Sequence, residues 1–224
     1  MGFDTATIPA IWIGAATLLL CLLLGLAAAA VNWRNAAAGA TLHLLLGCCL
    51  ALALLWQARA QMAPGLSFQL LGVPLTTLML GPALALWCTA LASLLVVLMQ
   101  GLPLEAVPWN ALLYGAVPVL ATDLARRAVA QTLPAHPFVY ILGAGFAAAG
   151  VVAVATQLAA SALAMLVGGR AAALLFGQYA PFVALMGFGE ATLSGMLLTL
   201  LVVYRPAWVV TFNDSHYFKD RPDS

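Results

Sequence analysis

Glu190 stands alone as an acidic residue inside a long apolar run, Phe182 to Tyr204. Counted from Pro181, the standard rise puts it about 13 Å down a helix. At that depth a carboxylate is costly unless it is paired, hydrated or protonated. A functional role is therefore one reading. The other is a carboxyl group that ties helices together, with Thr192, Ser194 and backbone groups as partners, and the residues leave the two level. A second group is neutral: Ser67 and Gln69 in the stretch Pro64–Gly72, which runs on to Gly81-Pro82, and Asn110 near the start of a later apolar block. Amides and a hydroxyl can converge on a small polar ligand, but they also cap helices and close loops, and on the residues alone capping is the stronger reading. A third group, His43 with Cys48 and Cys49, offers soft donors suited to copper or nickel. Residues five apart lie about 140° around a helix from one another, which favours a packing role for His43.

Other chemistry has little to stand on. No nucleophile–base pair, phosphate-cradling glycine loop or paired metal-ligand spacing occurs, which argues against an enzyme. Cys21, Cys48, Cys49 and Cys88 all sit in apolar blocks without C-x-x-C spacing, as small packing residues do. His136 and His216 fall in loop and tail sequence. Asp123 and Arg127, four apart, share a helix face.

The elements that must position these residues follow from composition. Of 224 residues, 65% are hydrophobic and 7% charged, against about 25% charged in soluble domains. Mean hydropathy is +1.07. This is an integral membrane protein, and its apolar residues come in continuous blocks, which predicts helices over a barrel. A net charge of +1 provides no basic field for nucleic acid. A spanning helix needs about 20 apolar residues. The blocks predict one all-α domain of about seven transmembrane helices over residues 8–31, 38–56, 68–80 (short or kinked), 83–99, 109–128, 138–167 and 182–204. A polar, aromatic tail follows over 205–224, and its residues Trp208 to Lys219 suit a membrane-surface anchor. The cationic residues Arg34, Arg126, Arg127, Arg205, Lys219 and Arg221 gather on one side when the N-terminus is outside, with Arg59 and Arg170 opposite. The positive-inside rule then puts the C-terminus in the cytoplasm and the Pro64–Gln69 loop outside. Small residues at Gly187, Ala191 and Gly195, and at Gly143, Ala147 and Gly150, predict close helix approach, within the bundle or against another membrane subunit.

Three segments carry a resemblance: Pro64 to Gly72 through Leu80-Gly81-Pro82, Pro108-Trp109-Asn110-Ala111-Leu112, and Gly189-Glu190-Ala191-Thr192-Leu193-Ser194-Gly195 with Tyr204-Arg205-Pro206. Together they resemble the CbiM-like family, the substrate-binding membrane (S) components of energy-coupling-factor transporters for cobalt and nickel. The chain resembles still more closely a bacterial branch of that family known only as predicted membrane or permease proteins, chiefly through Leu197 to Phe212. The resemblance implies six or seven spans with an outside N-terminus, a transmembrane T component and cytoplasmic ATPases in the bacterial inner membrane, and a divalent metal as cargo rather than cofactor. It also implies a Met-His start and a loop histidine as ligands, whereas this chain begins Met1-Gly2-Phe3-Asp4 and has Gln69 where the loop histidine belongs. A neutral amide oxygen is a poor ligand for nickel or cobalt. The leading expectation is an S component capturing a small solute, with a divalent transition metal as candidate, through Ser67, Gln69, Asn110 and Glu190. The alternatives are a structural or assembly subunit that has lost the site, and, more weakly, copper handling by His43, Cys48 and Cys49.

Overall fold

A computed structural model describes residues 9–36, 39–63, 66–168 and 180–212. In chain order the helices are α1 (Ala10–Ala30), α2 (Trp33–Ala36), α3 (Ala40–Leu55), α4 (Val73–Leu80), α5 (Pro82–Met99), α6 (Ala106–Ala111), α7 (Val117–Thr132), α8 (Pro137–Val139), α9 (Ala148–Gly168) and α10 (Ala180–Tyr204). A π-turn, Leu112–Ala116, fuses α6 to α7, and another, Tyr140–Ala147, fuses α8 to α9. Apart from the four-residue α2, the described residues form seven continuous helical segments. In a lipid interior every backbone N–H and C=O must be paired within the chain, and uninterrupted apolar blocks meet that demand as helices. Four of them are long and apolar enough to cross a membrane: Ala10–Ala30, Pro82–Met99, Pro137–Leu163 and Phe182–Tyr204. The segment α3 is shorter at 16 residues. The fused α6–α7 helix carries its charges as one cluster, with Asp123 bonded at 2.7 Å to both Arg126 and Arg127.

The expected segment 68–80 is helical only over Val73–Leu80. Its first residues belong instead to a hairpin, in which β1 (Arg59–Ala63) pairs antiparallel with β2 (Leu66–Gln69), Arg59 opposite Gln69 and Ala60 opposite Phe68. The helix begins late because Gly72 takes φ 65°, a left-handed conformation that no preceding helical turn accommodates, and Pro74 follows in the first turn. Gly81, at φ 75°, stops the helix and Pro82 starts the next.

Small residues do for α9 and α10 what the spacing predicted. Gly150 and Gly187 face each other so closely that a methyl at Gly150 would lie 3.1 Å from both the Gly187 carbonyl and the Ala191 methyl. This close approach is intramolecular and replaces apolar area with backbone van der Waals contact, the main source of helix adhesion in lipid. Gly143 is turned to Val129 of α7 instead. Against this pair and α7 packs the buried α4, which also meets α3 and α5.

Candidate functional site

The short helix α4 is the element around which the polar residues gather. At 8 residues it rises about 12 Å, well short of a bilayer's hydrocarbon core. Its terminal N–H and C=O groups are therefore buried in protein and need partners there. The tail supplies those at the C-terminal end. The N–H groups of Val210 and Thr211 donate to the carbonyls of Met79 (3.0 Å) and Leu78 (3.3 Å), and the Thr211 hydroxyl donates to Leu78 O at 2.7 Å. Tyr140 Oη lies 2.6 Å from that hydroxyl and Phe212 packs on the Tyr140 ring. The start of the tail is thus a cap on α4, a more specific role than surface anchoring. Residues 213–224, where the rest of that expectation falls, lie outside the described residues.

Glu190 serves the other end. Its Oε2 accepts from Leu71 N–H at 2.7 Å and its Oε1 from Gly72 N–H at 2.8 Å, with Ser194 Oγ 3.5 Å from Oε1. It is 1% exposed. A carboxylate held just ahead of a helix N-terminus also faces the positive end of the helix dipole. Trp56, fully buried at the end of α3, donates its indole N–H to Leu71 O at 2.8 Å, and Gly72 O accepts from both the amide and the hydroxyl of Thr76. Gln157 Nε2 donates to Gln69 O at 3.4 Å. The backbone from Gln69 to Gly72 is consequently pinned from three helices, α3, α9 and α10. Gly72 is favoured by its positive φ, and a Cβ there would also have to push aside the side-chain tips of Leu55 (2.9 Å) and Leu52 (3.0 Å).

On this clamped backbone one side chain is left unanswered. Gln69 is 3% exposed, and among the described residues neither its Oε1 nor its Nε2 has a hydrogen-bond partner. Stranding a buried polar group costs about 1–3 kcal/mol, and such a group in a folded protein calls for a reason. Asn110, 2% exposed on α6, also leaves its Oδ1 unpartnered, and no hydrogen bond joins it to Gln69 or Glu190. Thr156 Oγ1, on α9 next to Gln157, is unpartnered as well. Ser67 lies on β2 and its side chain is outside the described residues, as are Met1 to Asp4.

The structure therefore joins Glu190 to the Gln69 loop by hydrogen bonds, and among the described residues it gives Asn110, on α6 packed against α1 and α5, no hydrogen bond to either. Gln157 escaped the sequence reading, although an amide flanked by Thr156 and Ser161 in an apolar span is a signal of the same kind as Glu190. The soft-donor group is dispersed in role. His43 is exposed, with Nδ1 2.8 Å from Gly39 O, whereas Cys48 and Cys49 are buried in the core. Among the described residues no three His, Cys, Asp or Glu side chains are placed to hold a metal ion.

Comparison with known proteins gives one result. The family model described as the cobalt uptake substrate-specific transmembrane region, CbiM, matches residues 4–208. No curated protein and no solved structure matches the chain.

Proposed function

Because the chain belongs to the CbiM family of cobalt uptake transmembrane regions, we propose that it is the substrate-capturing S component of an energy-coupling-factor transporter. The family is one of membrane transport components and not of enzymes, and the helices make this a multi-pass membrane protein. In the proposed reading the N-terminus and the Gln69 loop face outward, and the C-terminus faces the cytoplasm of a bacterium whose inner membrane holds the chain. A transmembrane T component and cytoplasmic ATPases power release. The cargo is a small solute of the divalent transition metal class, met by the Gln69 carboxamide on the loop that Glu190 and Trp56 hold still. Ser67 and Asn110 are the further candidate contacts. Glu190 serves that site by positioning the loop, because both its oxygens accept from backbone amides.

The observation that carries this reading is the Gln69 side chain, buried, without a hydrogen-bond partner at either end among the described residues, and mounted next to a backbone held at Gln69 O, Leu71 and Gly72. A group kept for a ligand trades stability for function. Gln69→Leu is accordingly expected to raise the stability of the ligand-free protein by about 1–3 kcal/mol while abolishing accumulation of radiolabelled cobalt in cells that also express the T component and ATPases. Loss of stability with unchanged uptake would sink the proposal.

One observation favours the second reading, an assembly subunit without a working site: the described residues present no nitrogen or sulfur set for a cobalt-class ion. Its signature is a protein whose melting temperature is unmoved by cobalt or nickel at any concentration, and which co-purifies with a membrane complex lacking transporter ATPases.

A further inference from the structure

Beside the clamp the bundle is open. A cleft of about 890 Å³ runs between α3 and α10 with α4 as its floor, and it begins at His43 and Trp208 and ends at Leu55 and Gly72. Its α3 wall is a single stripe in three- and four-residue steps from Ala40 to Leu55, about 22 Å long at the standard rise. The wall is nearly all hydrocarbon. The polar side chains on it already have partners: Thr76 Oγ1 on Gly72 O, Ser194 Oγ near Glu190, and His43 Nδ1 on Gly39 O. An occupant is therefore asked for dispersion contacts along the cleft and for no hydrogen bond inside it. Hydrocarbon tails, which bring no backbone N–H or C=O groups to be satisfied, meet those terms.

The mouth of the cleft has the opposite character. The cleft residues at this end, Ala40, His43, Leu200, Leu201 and Trp208, include no Asp or Glu, and Arg205 lies three residues before Trp208 in sequence. Arg205 is exposed, and its guanidinium sits 5.9 Å over the ring of Trp208, a lining residue. Among the described residues it has no carboxylate partner, since the ion pairs found are those of Asp123. An aromatic ring beside a cation that has no carboxylate partner among the described residues, at the end of an apolar groove, is the arrangement of a membrane–water boundary facing an anionic headgroup.

We infer that the α3–α4–α10 cleft binds an anionic phospholipid, with its tails along α3 and its phosphate at Arg205. The inner end of the tails then rests on Gly72, whose N–H Glu190 holds, so that the lipid completes the packing behind the clamped loop.

Native mass spectrometry of the full-length protein, titrated with phosphatidylglycerol or phosphatidylcholine of identical tails, tests this. Each interfacial cation favours an anionic lipid by about fivefold. Phosphatidylglycerol is therefore expected to bind at least about fivefold more tightly, and Arg205→Ala to remove most of that preference. Gly47→Trp fills the cleft from a position where an added Cβ meets no atom within 4 Å, and should cut binding of both lipids several-fold. Gly14→Trp, equally unobstructed but on α1, should not. Independently of any variant, photoactivatable phosphatidylglycerol in membranes should label the peptide 40–55. Equal affinity for the two lipids, or labelling spread evenly over all helices, overturns the proposal. So does a photocrosslinker at position 47 that captures a polypeptide instead of a lipid, which would assign the cleft to a partner's helix.

Discussion

Replacing Glu190 by alanine removes the acceptor of two buried backbone amides at once. Hydrogen bonds to a charged group contribute about 1.5–3 kcal/mol each, and an N–H left buried without a partner costs about 1–3 kcal/mol. These overlap, because the stranded donor and the lost bond are two descriptions of one event, and some water can reach a cavity made by removing a carboxylate. A net cost of about 3–5 kcal/mol is the reasonable expectation, a large share of a typical 5–15 kcal/mol stability. Glu190→Gln keeps one carbonyl acceptor but sets its NH₂ against the other amide, and should cost about 2–3 kcal/mol. At about 2–4 °C per kcal/mol for a chain of this size, Glu190→Ala lowers the melting temperature in detergent by about 10 °C and Glu190→Gln by roughly half as much. Hydrogen–deuterium exchange then localises the damage. Protection falls at Leu71 and Gly72 and along α4, while the α9–α10 contact keeps its protection. If both variants melt within a degree of the parent, or if exchange rises first at the glycine contact between α9 and α10, the clamp is not what holds the loop.

Other expectations concern the same framework. Trp56→Phe removes the indole donor to Leu71 O and should cost about 1 kcal/mol. Combined with Glu190→Gln it should show a coupling energy of about 0.5–3 kcal/mol, because both act on one residue; additive melting shifts would deny a shared clamp. Thr211→Val takes away the hydroxyl bonded to Leu78 O and Tyr140, and is expected to lower stability by about 1–2 kcal/mol with faster exchange at the C-terminal end of α4. Gly187→Leu drives a side chain into Val154 and should cost about 1–3 kcal/mol or more, whereas Gly189→Ala, whose added carbon would sit 3.5 Å from Leu70, should stay within about 0.5 kcal/mol by thermal unfolding.

Much of the bundle was legible because lipid leaves the backbone few options. Long apolar blocks with Pro or Gly between them, such as Ala83 to Met99 after Gly81-Pro82, can hardly be anything but helices. The short run after Pro64 was not legible in the same way. Hydropathy does not register a positive φ at Gly72, and a short apolar stretch cannot be divided between strand and helix by periodicity. The site was legible in its residues and not in its connections. Glu190 and Gln69 both stand out as polar groups in apolar surroundings, and Ser194 was foreseeable as a neighbour four residues on. That Glu190 would reach the amides of Leu71 and Gly72 depends on how α10 lies beside α4, which no local pattern encodes. The capping role of Val210 and Thr211 was hidden for the same reason, since an aromatic, polar tail looks alike whether it floats at an interface or plugs a helix end.

The separation of the clamp's two halves along the chain bears on how the protein is made. Glu190 lies 119 and 118 residues beyond the amides it holds, and Thr211 lies 133 residues beyond the carbonyl it caps. At 5–20 residues per second of synthesis, α4 waits roughly 6–25 seconds in the nascent bundle with both ends unfinished. During that interval the amides of Leu71 and Gly72 and the carbonyl of Leu78 lack the partners they have in the finished fold. Insertion of α10 is thus also the step that completes the start of α4, made 118 residues earlier.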